Sequence, residues 1–256
     1  MNLKWYEQSS AQVSAEEDWL SPWERPRLWS LHIAKRRGDW RLGRWTAKYA
    51  AADYLNLPHD PATFASIEIV PAASGAPEVF LNGTPARLSI SLSHRDGIAA
   101  CAVGAPGAMF GCDLEIVEER SDAFVSDYFT AAEQKLLDSA ARGQRSLFIA
   151  VIWSAKESAL KALRTGLRND THCVSVRVSE VPCPTSPNVG GRLPAALNHQ
   201  ISWRQVEVTY ADEVIFHGCW SCKDNLVRTL VSIPTVITAS HRRLGDFFDA
   251  QLSKRQ

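Results

Sequence analysis

From Phe64 onward the chain alternates apolar and polar residues in short runs broken by glycine and proline: Phe64 to Val70, Glu78 to Leu81, Leu88 to Leu92, Ile98 to Val103 and Met109 to Val117. A period of two sends successive side chains to opposite faces of an extended chain, so these runs predict short strands in a small, largely antiparallel sheet. Ahead of them the spacing is helical. Ser21, Pro22 and Glu24 combine a capping serine, a proline in the first turn and a glutamate three residues on, which together satisfy the free N–H groups of a helix start. That helix is expected to reach about Arg37, with Gly38 ending it and Asp39 capping a second one through about Asn56. Helical spacing returns from Ala131 to about Ala141 and from Ser146 to about Leu163. Strands resume at Val174 to Val178, Ile201 to Tyr210, Glu213 to Trp220 and Leu226 to Ile233. The order helix, strands, helix, strands predicts an α+β fold in two halves. Val181 to Pro194 reads as a loop that need not pack, the charged last dozen residues as a frayed or short exposed helix, and no fixed-period repeat is visible.

Charge and cysteine content narrow the function classes. Lysine plus arginine equals aspartate plus glutamate at 28 each, so no overall basic field points to nucleic acid. No run reaches the roughly 18 apolar residues of a membrane span, and the start MNLKWYEQSS lacks the apolar core of a secretory signal. A cytoplasmic protein is expected. The six cysteines are read as buried thiols, including Cys219 and Cys222, whose CxxC spacing lies in a strand-like run without a second pair. No zinc or redox role is expected of them.

Four groups of residues could carry chemistry. In Phe110 to Val117, Gly111, Asp113 and Glu115 share one strand face, which sets the two carboxylates about 7 Å apart. Such a pair is either a solvated outer face or a site for a hard cation such as magnesium. On the helix after Ser146, Glu157 and Lys161 lie one turn apart, either as a surface ion pair or at a cleft, and Lys156 falls in the apolar sector, where it must reach water or a charge. Ser93, His94 and Arg95 end a strand before the turn at Gly97, as a polar hairpin tip or a grip for phosphate. Arg37, Arg41, Arg44 and Lys48 recur at helical spacing, as a solvated face or a basic stripe for a phosphorylated nucleotide.

Taken in order, SLSHRDG at Ser91 to Gly97, GCDLE at Gly111 to Glu115, FTAAE at Phe129 to Glu133 and WSAKESALK at Trp153 to Lys161 resemble the motif series of the 4′-phosphopantetheinyl transferase superfamily. The opening LSPWERPRL and the Arg37 to Lys48 helix look like the amino-terminal part of its Sfp-type, pseudo-dimeric members. The resemblance implies two similar α/β subdomains with small antiparallel sheets and a cleft between them, here residues 1–120 and 121–256. It implies magnesium-dependent transfer of the phosphopantetheine arm of coenzyme A to a serine of an apo acyl or peptidyl carrier protein by a monomer, with a non-catalytic coenzyme A or carrier binder as the alternative. On this reading Asp113, Glu115 and Glu157 hold magnesium, and Glu157, Lys161 and His94 are catalytic. Ser93, His94 and Lys161 meet the phosphates, Arg44 and Arg37 the nucleotide end, and Lys156 and Arg95 complete the coenzyme set. Where many members carry Gly-Lys-Pro, this chain has Gly75-Ala76-Pro77, and Arg95 is expected to supply the missing charge.

Overall fold

The computed structural model describes residues 2–141, 143–166, 169–190, 201–211 and 213–233. The charged tail and residues 191–194 of the proline-rich stretch lie outside the described residues.

Two long helices, each laid on a sheet, organise the molecule. Helix α2 (Ala34–Tyr54) follows a short α1 (Glu24–Trp29) and covers a four-stranded sheet, in the order β5 (Ser89–Arg95), β6 (Ile98–Gly104), β1 (Lys4–Ser9) and β9 (Asn188–Val189). Helix α6 (Arg145–Ala162) covers a five-stranded sheet, in the order β7 (Phe110–Ile116), β12 (Leu226–Ser232), β11 (Val214–Lys223), β10 (Arg204–Tyr210) and β8 (Val174–Pro182). A short α3 (Pro61–Ser66) leads into a small sheet of β2 (Ile67–Pro71), β3 (Pro77–Leu81) and β4 (Thr84–Pro85). Helices α4 (Asp122–Tyr128) and α5 (Ala131–Ser139) precede α6. The result is the expected α+β fold, and among the described residues no helix is long and apolar enough to cross a membrane.

Strand alternation builds the cores. Tyr6, Cys101 and Val103 face α2, while Trp5, Ala100 and Ala102 face the other way. There they meet Phe110, Cys112 and Leu114 of β7 and Leu226 and Leu230 of β12, so the two sheets share a third core. At its edge lies a buried bidentate ion pair: the Arg228 guanidinium on β12 donates to both Glu7 oxygens on β1 at 2.7 Å each. Asp96 and Gly97, both at positive φ, form the two-residue turn that joins β5 to β6, the conformation a tight hairpin requires.

The halves repeat the same internal device about 108 residues apart. Glu24 accepts the backbone N–H of Ser21 and pairs with Lys48 of α2 at 2.5 Å, and Lys48 also donates to the carbonyls of Trp19 and Phe64. Glu133 accepts the backbone N–H of Thr130 and pairs with Lys156 of α6 at 2.9 Å, and Lys156 donates to the carbonyls of Thr171 and Val174. The sequence around each lysine matches as well, Trp45-Thr-Ala-Lys48 against Trp153-Ser-Ala-Lys156. Both helices end in the same reverse turn, with Asn56 and Arg164 at positive φ and the following N–H groups bonded back to Ala52 and Leu160. A repeat too diverged to show as a fixed period in sequence is therefore present in the structure.

Several expectations are corrected. Gly38 and Asp39 lie inside α2, which runs unbroken because the interactions of its buried face outweigh one helical glycine. Phe64 belongs to α3, capped by the Asp60 side chain, and β2 starts only at Ile67. Part of the stretch read as a loop is ordered: β8 extends to Pro182, and Asn188–Val189 pairs with β1. Cys219 is joined to Cys183 by a disulfide, whereas Cys222 is free. Strand pairing also crosses residue 120, with β7 on β12 and β9 on β1.

Candidate active site

The sheets meet at two edge strands, β5 and β7, and serine hydroxyls stitch them together. Ser89, Ser91 and Ser93 alternate along β5, so all three face the following segment. Their Oγ atoms accept the N–H groups of Gly107, Cys112 and Leu114 at 3.1, 3.0 and 3.2 Å. Ser93 also donates to Asp113 Oδ1 at 2.7 Å, which fixes that carboxylate. Arg95 continues the same face and therefore turns toward β7, lying 3.7 Å from Glu115 and 3.1 Å from Glu118.

Gly111 sets the distance between β7 and α6. A Cβ there would sit 1.9 Å from the Ser158 carbonyl oxygen, so only glycine lets the helix lie this close to the strand. The close approach brings Lys161 within 2.7 Å of Asp113 Oδ1 and 3.1 Å of the Cys112 carbonyl. Glu157, one turn earlier on α6, faces the same acidic strand. Burial first, then the charges of Asp113 and Glu115, push its carboxyl up to about 7, against the opposing pull of Lys161 and Arg95. Burial, with Asp113, also raises Glu115, against Arg95 and Arg120. Burial lowers Lys161, but Asp113 and Glu157 outweigh it and the net shift is upward, so the ammonium stays charged. Although its side chain is exposed, His94 is lowered by partial desolvation, with Lys161 and Lys35, against Asp39 and Asp113, which favours the neutral imidazole.

Beside these groups opens a cavity of about 400 Å³ between the halves. Its walls are α2 at Asp39, Trp40 and Arg44, the Ser74 to Pro77 turn, β5 through Ser93 and His94, and the end of α6 at Lys161 and Arg164. Arg44 stacks on Trp40 at 5.0 Å and lies 3.7 Å from Glu24, and its buried Nε makes no hydrogen bond. Ala76 leaves the turn without a charge, and Arg44 and Arg164 supply positive charge on the walls around it. Arg164 was not singled out from the sequence; the helix-ending turn at positive φ is what delivers it here.

Of the ten residues singled out from the sequence, Ser93, His94, Asp113, Glu115, Glu157, Lys161 and Arg44 gather at or beside the cavity. Three do not reach it. Arg37 pairs with Glu17 at 2.9 Å, Lys156 is wholly buried against Glu133, and Arg95 is turned to Glu115 and Glu118. The rest of the basic stripe is structural, with Arg41 bonded to the carbonyls of Ser14, Ala15 and Glu16 and Lys48 enclosed by Glu24.

As they stand, the three carboxylates are each compensated separately: Asp113 by Lys161, Glu115 by Arg120 at 2.8 Å, and Glu157 at neutral pH by a partly held proton. Among the described residues no three acidic, histidine or cysteine groups converge tightly enough to hold a metal ion in this arrangement. The three carboxylates are nevertheless the kind of oxygen donors a hard divalent cation takes, and the charges of Asp113 and Glu115 add to burial in raising Glu157.

No curated protein matches the chain. The motifs on β7, α5 and α6 fall within residues 109–211, and over that span the chain matches the model of the 4′-phosphopantetheinyl transferase superfamily.

Proposed function

We propose that the protein moves the 4′-phosphopantetheine arm of coenzyme A onto a serine hydroxyl of an apo carrier protein, releasing adenosine 3′,5′-bisphosphate, with magnesium as cofactor. One observation carries the reading: Asp113 and Glu115 from a strand, Glu157 and Lys161 from a helix, and His94 from a second sheet meet beside a cavity between the halves. The match of residues 109–211 to that superfamily's model supports phosphopantetheinyl transfer in general.

Asp113, Glu115 and Glu157 would hold magnesium, which when bound withdraws charge from the diphosphate. Glu157, directly or through a bound water, would take the proton of the carrier serine as its oxygen attacks the β-phosphorus. The bond from that phosphorus to the bridging oxygen breaks, and the leaving bisphosphate takes the bond's electrons. Lys161 donates to a diphosphate oxygen, and neutral His94 donates an N–H to another without adding charge. Arg44, whose guanidinium lies over the Trp40 ring on the cavity wall, would meet the nucleotide end.

The test is to incubate the protein with magnesium, coenzyme A and a panel of apo carrier proteins and to follow carrier mass. Addition of one phosphopantetheine group supports the proposal. Coenzyme A binding without any mass change on any carrier would replace the transferase reading with that of a binding module.

A further inference from the structure

Glu115 differs from the other two carboxylates in being held by arginines that have a second acidic partner. Arg120 Nη2 lies 2.8 Å from Glu115 Oε1 and 2.8 Å from Glu118 Oε1. Arg95 lies 3.7 Å from Glu115 Oε2 and 3.1 Å from Glu118 Oε1. Glu115 is buried, whereas the Glu118 side chain is 43% exposed. Arg120 is held in place on its other side by the Phe124 ring at 5.0 Å. Two arginines thus bridge a buried carboxylate and a solvated one, both within reach without any movement of the backbone.

We propose that Arg120, assisted by Arg95, is a latch that holds Glu115 when no divalent cation is bound and passes to Glu118 when the cation takes Glu115. This rests on the reading of Asp113, Glu115 and Glu157 as ligands of that ion. The physical reasoning is a competition. A buried carboxylate without a counter-charge is costly, so Arg120 lowers the free energy of the cation-free molecule and thereby weakens cation binding. Glu118 acts in the opposite direction, because it gives both arginines a partner after Glu115 has left them. Arg120 and Glu118 are accordingly positioning residues that set how much divalent ion the site needs, and neither touches the reacting atoms.

Manganese binding to the full chain, without coenzyme A or carrier, can be read from loss of the free-ion paramagnetic resonance signal. Arg120→Gln should tighten binding about five- to tenfold, the equivalent of one ion pair at a partly buried site. Glu118→Gln should weaken it about threefold by leaving the arginines only Glu115. Arg145→Gln, at a guanidinium that pairs with Asp122 and is not among the partners of Glu115, is the control for general charge and should stay within about twofold. Arg95→Gln should act in the same direction as Arg120→Gln and more weakly, which guards against a folding defect in either variant. Native binding that Arg120→Gln leaves unchanged, or that Arg145→Gln strengthens equally, overturns the latch while leaving the ion site standing. Absence of manganese binding to the native chain and to every variant, in protein that binds coenzyme A in a separate titration, overturns the ion site and the latch together.

Discussion

Glu157 is the residue whose environment makes the sharpest demand. The folded molecule holds its proton up to about 7, whereas an unperturbed glutamate titrates near 4.5. A raised folded value means stability that is fully present below pH 4.5 and is lost as pH rises through about 7. Glu157→Gln removes the charge that forms across that window. Without divalent ion it should therefore be more stable than the native protein at pH 8, by about 1–3 kcal/mol, and indistinguishable from it near pH 4. Thermal melts at both pH values check this, and a gap that is constant with pH would contradict it. On the proposed role of Glu157 as general base, the same variant should lose transfer by about 100-fold or more. The spacing of Asp113 and Glu115 was enough to place both on one strand face, and Glu157 and Lys161 on one helix face. What no local pattern could show was that the two faces oppose each other, because that depends on a packing distance set by Gly111. The destination of Arg95 was hidden for a similar reason: alternation aimed it with Ser91 and Ser93, but the strand opposite them was not known.

At the scale of elements, glycine separates the positions where geometry decides from those where propensity decides. Gly111→Ala would drive a methyl into the backbone of α6, and since neither strand nor helix can yield by rotating a side chain, a loss of about 3 kcal/mol and collapse of activity are expected. Gly38→Ala meets nothing within 4 Å in the middle of an unbroken helix and should stabilise by about 0.5–1 kcal/mol. Chemical denaturation of both variants tests the pair, and a destabilised Gly38→Ala would mean that α2 breaks there after all. Caps and periodicity marked the helices only in part: Thr130 and Glu133 form a reciprocal box at the start of α5, whereas α1 starts at Glu24 without a side-chain cap and ends at Trp29, well before Arg37. Glycine misled at Gly38 because its intrinsic cost is small beside the burial of Leu42, Ala47 and Ala51 later in the same helix. Strand β1 was missed because Lys4 to Ser9 carries polar residues, Glu7 and Gln8, that are buried only through distant partners or neighbours.

Across the whole molecule, the halves are joined by elements that cross between them. β1 pairs with β9 from late in the chain, β5 is stitched to β7, and Glu7 meets Arg228 across 221 residues of sequence. The Glu7–Arg228 pair is buried on both sides, and Trp5 and the Leu226 carbonyl complete its hydrogen bonds. A pair of this kind adds little over an apolar replacement of the same volume, yet leaving one member alone strands a charge in the shared core. Arg228→Met should therefore destabilise by about 3–5 kcal/mol, and the double variant Glu7→Met with Arg228→Met should recover most of that loss. Because the lost contact belongs to both sheets, the unfolding of the single variant should remain one transition in which both halves melt together, followed by circular dichroism and by tryptophan fluorescence. Separate transitions would show that the halves hold themselves together independently, and the cavity between them would then be expected to loosen before either half unfolds.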